Sequence, residues 1–366
     1  MRAAQAVELA LRESVPDAVV QNIDVLTLTN TPFRKLYGEA YLELVNEAPH
    51  VLGYMYDLLD RPRRANSRRD RLRGLVQRIN LGKLSDLLQF QNWDVIVNTH
   101  FLPAEIIAEL KRRRKIRTPQ IVVTTDFETH RLWVHSPVEH YTTATDEGAE
   151  YLKHWGVDSQ ISVTGIPIHP NFSKSKDQNE CLERHGQAHG FAVGPPTVLQ
   201  LAGGFGVGPI STIFEQILSI EQPLQIFVVA GKNARAKTQL EGVKIPARHK
   251  ASVIGFTTEI DELMAAADVV VSKPGGLTTS ETLARGAAMA IVNPIPGQES
   301  RNSDYLLENG AAIKINNLGT LGYKLGGLLA GRSRLDAIRA AARRIARPRA
   351  AFDIAKLALQ YACATS

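Results

Sequence analysis

Three loops in the second half of the chain carry residue types suited to an anionic, hydroxyl-rich ligand. The first, Leu201-Ala202-Gly203-Gly204-Phe205-Gly206-Val207-Gly208-Pro209, follows an apolar run and opens a helical pattern. Its glycines let backbone N–H groups approach an anion, and the helix start adds partial positive charge. A tight strand-to-helix turn explains the same glycines. The second, Ser272-Lys273-Pro274-Gly275-Gly276-Leu277-Thr278-Thr279-Ser280-Glu281, repeats the order of strand, glycine turn and helix. Two anion-ready helix starts suit a ligand with phosphates. Glu281 stands about one turn into that helix, where a carboxylate can accept from paired ribose hydroxyls. The plainer readings make it a first-turn acid favoured by the helix dipole, or the capping-box partner of Thr278. The third loop is Pro294-Ile295-Pro296-Gly297-Gln298-Glu299-Ser300-Arg301-Asn302. Adjacent amide and carboxylate groups suit a hexose, which needs several donors and acceptors at once; a solvated helix start is the alternative. Gly231-Lys232-Asn233 and Gly255-Phe256-Thr257 follow two further apolar runs and add polar or flat groups. The conjunction carries the argument, because independent turns rarely offer parts of one nucleotide diphosphate sugar at successive strand ends.

These loops need a parallel sheet to bring them to one edge. Apolar runs at 197–201, 224–230, 251–254, 268–272, 288–293 and 311–315 alternate with helical patterns, and further helices fit 320–330, 333–344 and 350–362. Buried apolar strands alternating with helices predict an α/β fold with parallel sheets. In the first half, helices fit 2–13, 33–46, a long arginine-rich segment to about 88, and 103–114. Strands fit 18–25, 94–98, 121–125, 138–143 and 161–164. The polar, glycine-bearing stretch 173–196 has a linker signature. The expected domains are therefore 1–172, a linker 173–196, 197–346, and a final helix 347–366, with a cleft between two sheets whose carboxyl edges bind ligands.

At 366 residues the chain suits two domains. It is 44% hydrophobic and 22% charged, with no run of the ~18 apolar residues that a membrane span needs. The net charge of +6 favours an acidic partner. Two cysteines, Cys181 and Cys363, show no pairing or metal spacing, which points to a reducing compartment. The first ten residues make an amphipathic helix rather than a signal peptide.

The motifs resemble those of monogalactosyldiacylglycerol synthases and processive diacylglycerol glucosyltransferases. These are inverting enzymes of the GT-B fold, related to the peptidoglycan N-acetylglucosaminyltransferase that makes lipid II. Gly203-Gly204-Phe205-Gly206, Gly255-Phe256, the segment from Ser272 to Glu281 and Pro296-Gly297-Gln298-Glu299 carry the resemblance. Thr125-Asp126-Phe127-Glu128-Thr129-His130-Arg131-Leu132-Trp133 and Val163-Thr164-Gly165-Ile166-Pro167-Ile168 extend it into the first half. The resemblance implies two Rossmann-like domains facing across a cleft, with the C-terminal helices packing back toward the first. It implies that Phe256 places uracil, that Leu277 and Thr278 meet the phosphates and Glu281 the ribose, and that Gln298 and Glu299 hold the sugar. The 203–206 loop would face the diphosphate. Ser272, Lys273, Pro274, Gly275, Gly276, Gly231, Lys232, Asn233, Pro296, Gly297 and Asn302 complete the expected donor site. No Asp-x-Asp signature is present, so no metal and no cofactor is expected; backbone amides and helix ends would stabilise the departing UDP.

Family members begin with a strand and a glycine-rich loop ending in a histidine. Arg2-Ala3-Ala4-Gln5-Ala6 matches the helix that follows, which places those parts upstream of Met1; the expectation is a true start further upstream, with a crippled paralogue as the alternative. Within the chain, His130 and Asp126 are the candidates for acid–base or acceptor-positioning work, since a carboxylate can fix a histidine's tautomer. A hydrogen-bonded structural histidine is the rival reading. His100 shares it, and Trp133 with His135 would line an acceptor groove. Eight arginines between 61 and 78, preceded by the aromatic Tyr54-Met55-Tyr56-Asp57-Leu58-Leu59, suit an anionic membrane surface. No nucleic-acid-binding module accompanies the charge.

The expected activity is transfer of a hexose from UDP-galactose or UDP-glucose to diacylglycerol, by a cytoplasmic protein associated with the inner face of a membrane. The alternatives are a different lipid-linked or small acceptor, and a non-catalytic UDP-sugar-binding paralogue.

Overall fold

The structure is a computed structural model and describes residues 1–29, 82–202 and 209–365. The arginine-rich segment 61–78, the helix expected at 33–46, and Gly203, Gly204, Phe205 and Gly206 lie outside the described residues. The chain divides into two compact units. Unit 1 gathers Met1–Pro170, Ile295–Gln298 and Arg349–Ser366; unit 2 gathers Asn171–Pro294 and Glu299–Pro348.

Unit 1 opens with α1 (Arg2–Ser14), followed by a 3-10 turn (Val25–Leu28) and α2 (Gly82–Phe90). Its four strands, β1 (Ile96–Asn98), β2 (Gln120–Val123), β3 (His140–Thr143) and β4 (Gln160–Val163), form a parallel sheet in that order. Helices α3 (Phe101–Arg112) and α4 (Asp146–His154) supply the crossovers that parallel pairing requires. Residues 18–25 do not form the expected strand: 18–24 have no regular secondary structure, Val25 starts the 3-10 turn, and they join no ladder among the described residues. Apolar and β-branched residues supply propensity, but a strand exists only with a partner.

Unit 2 holds α5 (Gln178–Gly186), β5 (Thr197–Leu201), α6 (Ile210–Leu218), β6 (Gln225–Val229), α7 (Ala234–Glu241), β7 (Lys250–Ile254) and α8 (Ile260–Ala266). It continues with β8 (Val269–Ser272), α9 (Gly276–Ala284), β9 (Ala288–Val292), α10 (Gln298–Glu308), β10 (Ala312–Ile315), α11 (Leu321–Ala330) and α12 (Arg332–Ile345). The six strands are parallel in the order β10-β9-β8-β5-β6-β7. Continuous apolar runs such as Val269-Val270-Val271 are fully buried, as expected of strands covered on both faces.

Residues 173–196 are part of unit 2 rather than a free linker. Asp177 caps α5, its Oδ1 accepting from Asn179 N at 2.9 Å and Glu180 N at 3.0 Å. Glu262 on α8 then collects Lys176 Nζ at 2.7 Å, Arg184 Nη1 at 2.8 Å and His185 Nε2 at 2.8 Å. Those bonds hold the Glu262 carboxyl down at about 2, Lys176 first and His185 next, against an upward push from burial. The final helix, α13 (Ala350–Thr365), belongs to unit 1. Ala6, Val7 and Ala10 of α1 pack against Ala351, Ile354, Ala355 and Ala358 of α13, with Ile121 and Val123 of β2 beneath. Small residues at helical spacing on both partners let the backbones approach closely.

Candidate active site

Unit 2 has a topological switch point between β5 and β8: the chain runs outward from β5 through β6 to β7, then returns to the other side of β5. Ligands of open α/β sheets bind outside the carboxyl ends of the strands at such a point. The loops after β6, β7, β8 and β9 all leave from that edge, and they carry Gly231 to Asn233, Gly255 with Phe256, Ser272 to Thr278, and Pro296 to Glu299. The 203–206 loop follows β5 but lies outside the described residues.

Each expected donor residue among the described residues has a definite place. Ser272, 1% exposed, ends β8, and Lys273 with the buried Pro274 leads into Gly275, the N-cap of α9. Gly276, Leu277 and Thr278 form the first turn of that helix and are half-buried. Thr278 is inside the helix, so the capping-box reading of Glu281 is excluded. Glu281 is 2% exposed at the sixth position of α9. Glu299, at the start of α10, sets Oε1 at 3.7 Å from where a Cβ on Gly275 would stand; the two loops are neighbours. Asn302 is buried and donates Nδ2 to Pro274 O at 3.0 Å, which ties α10 to the turn after β8. Gly231 adopts φ +64°, a left-handed turn that glycine takes without strain. Asn233 serves as the cap of α7, accepting from Ala236 N at 2.9 Å. Lys232 Nζ stands 5.2 Å from the centre of the Phe256 ring, and that ring is 64% exposed. An exposed aromatic face beside a cation at a strand end is free to stack on a flat heterocycle.

Pro296, Gly297 and Gln298 belong to unit 1, and Gly297 turns there with φ +97°. Gln298 Nε2 lies 3.1 Å from Asp126 Oδ2 and 3.0 Å from His130 Nε2. Asp126 Oδ2 and His130 Nε2 are themselves 3.5 Å apart. His130 is 2% exposed, with Phe101 edge-on at 5.6 Å and Trp133 at 5.8 Å between ring centres. The sequence singled out all three polar residues but placed Gln298 with the sugar alone; its meeting with Asp126 and His130 spans some 170 positions and leaves no local signal.

Two other expectations are corrected. Trp133 is 1% exposed in a core with Ala104, Val122, Val138, Tyr141 and Leu152, so it is packing rather than a groove wall. His100 caps α3, its Nδ1 accepting from Leu102 N at 3.2 Å. Partial shielding of the ring, then the chain's N-terminal ammonium, lowers the His100 pKa, and a ring that stays neutral suits a cap acceptor. Among the described residues, no cluster of three or more His, Cys, Asp or Glu side chains is placed to hold a metal ion, and no helix is long and apolar enough to cross a membrane.

Two parallel α/β sheets with a ligand-type switch point define a GT-B-type protein, and solved structures agree on the fold. MurG of Acinetobacter baumannii superposes with a TM-score of 0.57 at 18% identity, covering 76% of this chain and 77% of that one. Staphylococcus aureus MnaA, solved with UDP, gives 0.63 at 11% identity, covering 99% and 95%. The family model for monogalactosyldiacylglycerol (MGDG) synthase matches residues 1–168, and that for the glycosyltransferase family 28 C-terminal domain matches 210–326. A processive diacylglycerol beta-glucosyltransferase of Bacillus thuringiensis is 32% identical over 280 residues, which is 76% of this chain and 70% of the relative. Those of Bacillus licheniformis and Bacillus subtilis are 32% and 34% identical over 69% and 64% of this chain. The chain belongs to the monogalactosyldiacylglycerol synthase and processive diacylglycerol glucosyltransferase family. Its matches span 65% and 60% of the length of the last two relatives, less than two thirds of each.

Proposed function

We propose that this protein is an inverting glycosyltransferase that moves glucose or galactose from a UDP-sugar to the free hydroxyl of diacylglycerol at the inner face of a membrane. The observation that supports it most is the convergence, at the switch-point edge of unit 2, of a glycine-capped helix start, the buried Glu281 and the exposed Phe256. The uracil stacks on Phe256, Glu281 accepts from the ribose hydroxyls, and the first-turn amides of α9 face the phosphates. Glu299, beside Gly275, accepts from the hexose hydroxyls. His130 takes the proton as the acceptor oxygen attacks the anomeric carbon from the face opposite UDP; the C–O bond breaks and its electron pair leaves with UDP. Helix-end amides stabilise that developing charge, the task a divalent cation performs in other transferases, so no metal is called for. The basic segment 61–78 supplies attraction to anionic lipid, about 1 kcal/mol per cation.

The test is incubation of the purified chain with radiolabelled UDP-glucose or UDP-galactose and diacylglycerol in anionic vesicles. A labelled glycolipid that requires diacylglycerol is expected. Nucleotide binding without glycolipid from either donor overturns the acceptor, and absence of UDP binding overturns the donor site.

A further inference from the structure

We propose that Lys232 is a positioning residue for the donor's nucleobase: its ammonium holds one face of the Phe256 ring, so the ring is set in advance and the base stacks on the opposite face. This role rests on the donor reading above and deepens it.

β6 and β7 are paired up to Val229 and Ile254, and Ala230 N donates to Ile254 O at 2.8 Å. The loops that follow therefore leave the sheet side by side. Gly231 turns the first with φ +64°, and Lys232 comes next. In the second loop, a Cβ on Gly255 would stand 3.5 Å from Lys237 Cδ and 4.0 Å from Gly231 O. The backbone just before Phe256 is covered by those atoms. The ring itself is not, being 64% exposed. Among the described residues, its one contact with a charged or aromatic side chain is the Lys232 ammonium, 5.2 Å from the ring centre. A cation within about 6 Å of a ring centre is attracted to the ring face.

An exposed side chain samples several rotamers, and fixing one of them on binding costs affinity. A contact that holds the ring beforehand removes that cost. It also closes one face and leaves the other to a flat heterocycle. The two lysines beside this loop place their charges differently. Lys237 Nζ pairs with Glu241 at 3.1 Å. No carboxylate pairs with Lys232 among the described residues, so its charge remains available to the ring. A cation at a donor site also suits a diphosphate. The present position of Nζ, over the ring, favours the base. A ligand without phosphates separates the two roles: uridine is indifferent to a phosphate-binding cation and sensitive to one that holds the ring.

The experiment uses the full chain, labelled with 13C-lysine, as wild type and as Lys232→Met, Lys232→Arg and Phe256→Leu. The Lys232 ε-methylene signal, identified by its loss in Lys232→Met, should lie upfield of the other lysines through the ring current of Phe256. In Phe256→Leu it should return among them. Calorimetry with UDP, and with uridine displacing UDP, reads the second half. Lys232→Met should weaken uridine about 2- to 5-fold, the scale of an exposed cation–π contact. Lys232→Arg, whose guanidinium also stacks on aromatic faces, should restore it. In the Phe256→Leu background, Lys232→Met should cost uridine nothing further, an outcome that a general loss of fold does not produce. A wild-type lysine signal without the upfield shift overturns the proposal whether or not nucleotides bind. Uridine affinity unchanged in Lys232→Met overturns it too, and a loss confined to UDP then assigns Lys232 to the phosphates. An equal loss of uridine with and without the Phe256 ring has the same force. If wild type binds neither uridine nor UDP, the donor reading itself falls and the nucleobase role falls with it.

Discussion

Glu281 and Phe256 occupy opposite physical circumstances, and their substitutions separate binding from folding. Glu281 is 2% exposed on α9, so Glu281→Gln, which preserves volume and removes charge, is the informative change. A hydrogen bond to a charged group is worth about 1.5–3 kcal/mol, which predicts UDP affinity weakened roughly 10- to 100-fold by calorimetry. Unchanged affinity would remove Glu281 from the donor site. Phe256, 64% exposed, contributes little to the core. Phe256→Ala should leave the melting temperature in place yet weaken UDP by about 1–2 kcal/mol, the scale of a base stacked on an aromatic ring. A drop in melting temperature with intact affinity would reverse that assignment.

Two element-level contacts titrate in different windows of acid, and the sign follows from each shift. His100, which caps α3, is lowered to about 4 from 6.5, so the unfolded chain binds the proton more readily. Its contribution is complete above pH 6.5 and is lost as pH falls toward 4. Glu262, which joins α8 to α5, is lowered to about 2 from 4.5, so its contribution is complete above pH 4.5 and is lost on the way to 2. Urea unfolding should show stability declining in the first window for wild type and declining less steeply in His100→Asn, which keeps a cap acceptor without a titration, while His140 and His249, both also lowered by burial, go on losing their share. Glu262→Ala strands Lys176 and His185 and should cost about 2 kcal/mol, less than a fully buried pair, since Arg184 is exposed enough to rehydrate. These contacts also show where the sequence was legible. The strands of unit 2 were readable because runs such as Val269-Val270-Val271 and Ala288–Val292 are continuously apolar, and the donor loops were readable because they sit at the run ends. Residues 173–196 looked like a linker because their attachment is ionic and its partner, Glu262, lies some eighty positions away. Residues 18–25 looked like a strand because propensity is local and pairing is not.

At the scale of the whole molecule, unit 1 is discontinuous in sequence: α1 and α13, from both ends of the described chain, complete its core. In α13, Ile354 and the four alanines Ala350, Ala351, Ala355 and Ala358 are 0–1% exposed. At about 2–3 kcal/mol for a buried isoleucine and about 0.8 for each alanine methyl, their removal forfeits roughly 5 kcal/mol. That is comparable with the lower end of a domain's whole stability of about 5–15 kcal/mol, so the loss decides whether unit 1 stays folded. A chain ending at Pro348 should therefore lose amide hydrogen-exchange protection in β2 and β3 while β6, β8 and β9 keep theirs. Since the donor loops all leave strands of unit 2, the same truncated chain should still bind UDP, and it should make no glycolipid because Asp126 and His130 lie in the unfolded half. Protection lost equally in both sheets, or UDP binding lost with unit 2 still protected, would show that the donor site depends on unit 1 and that the two units do not divide the work in this way.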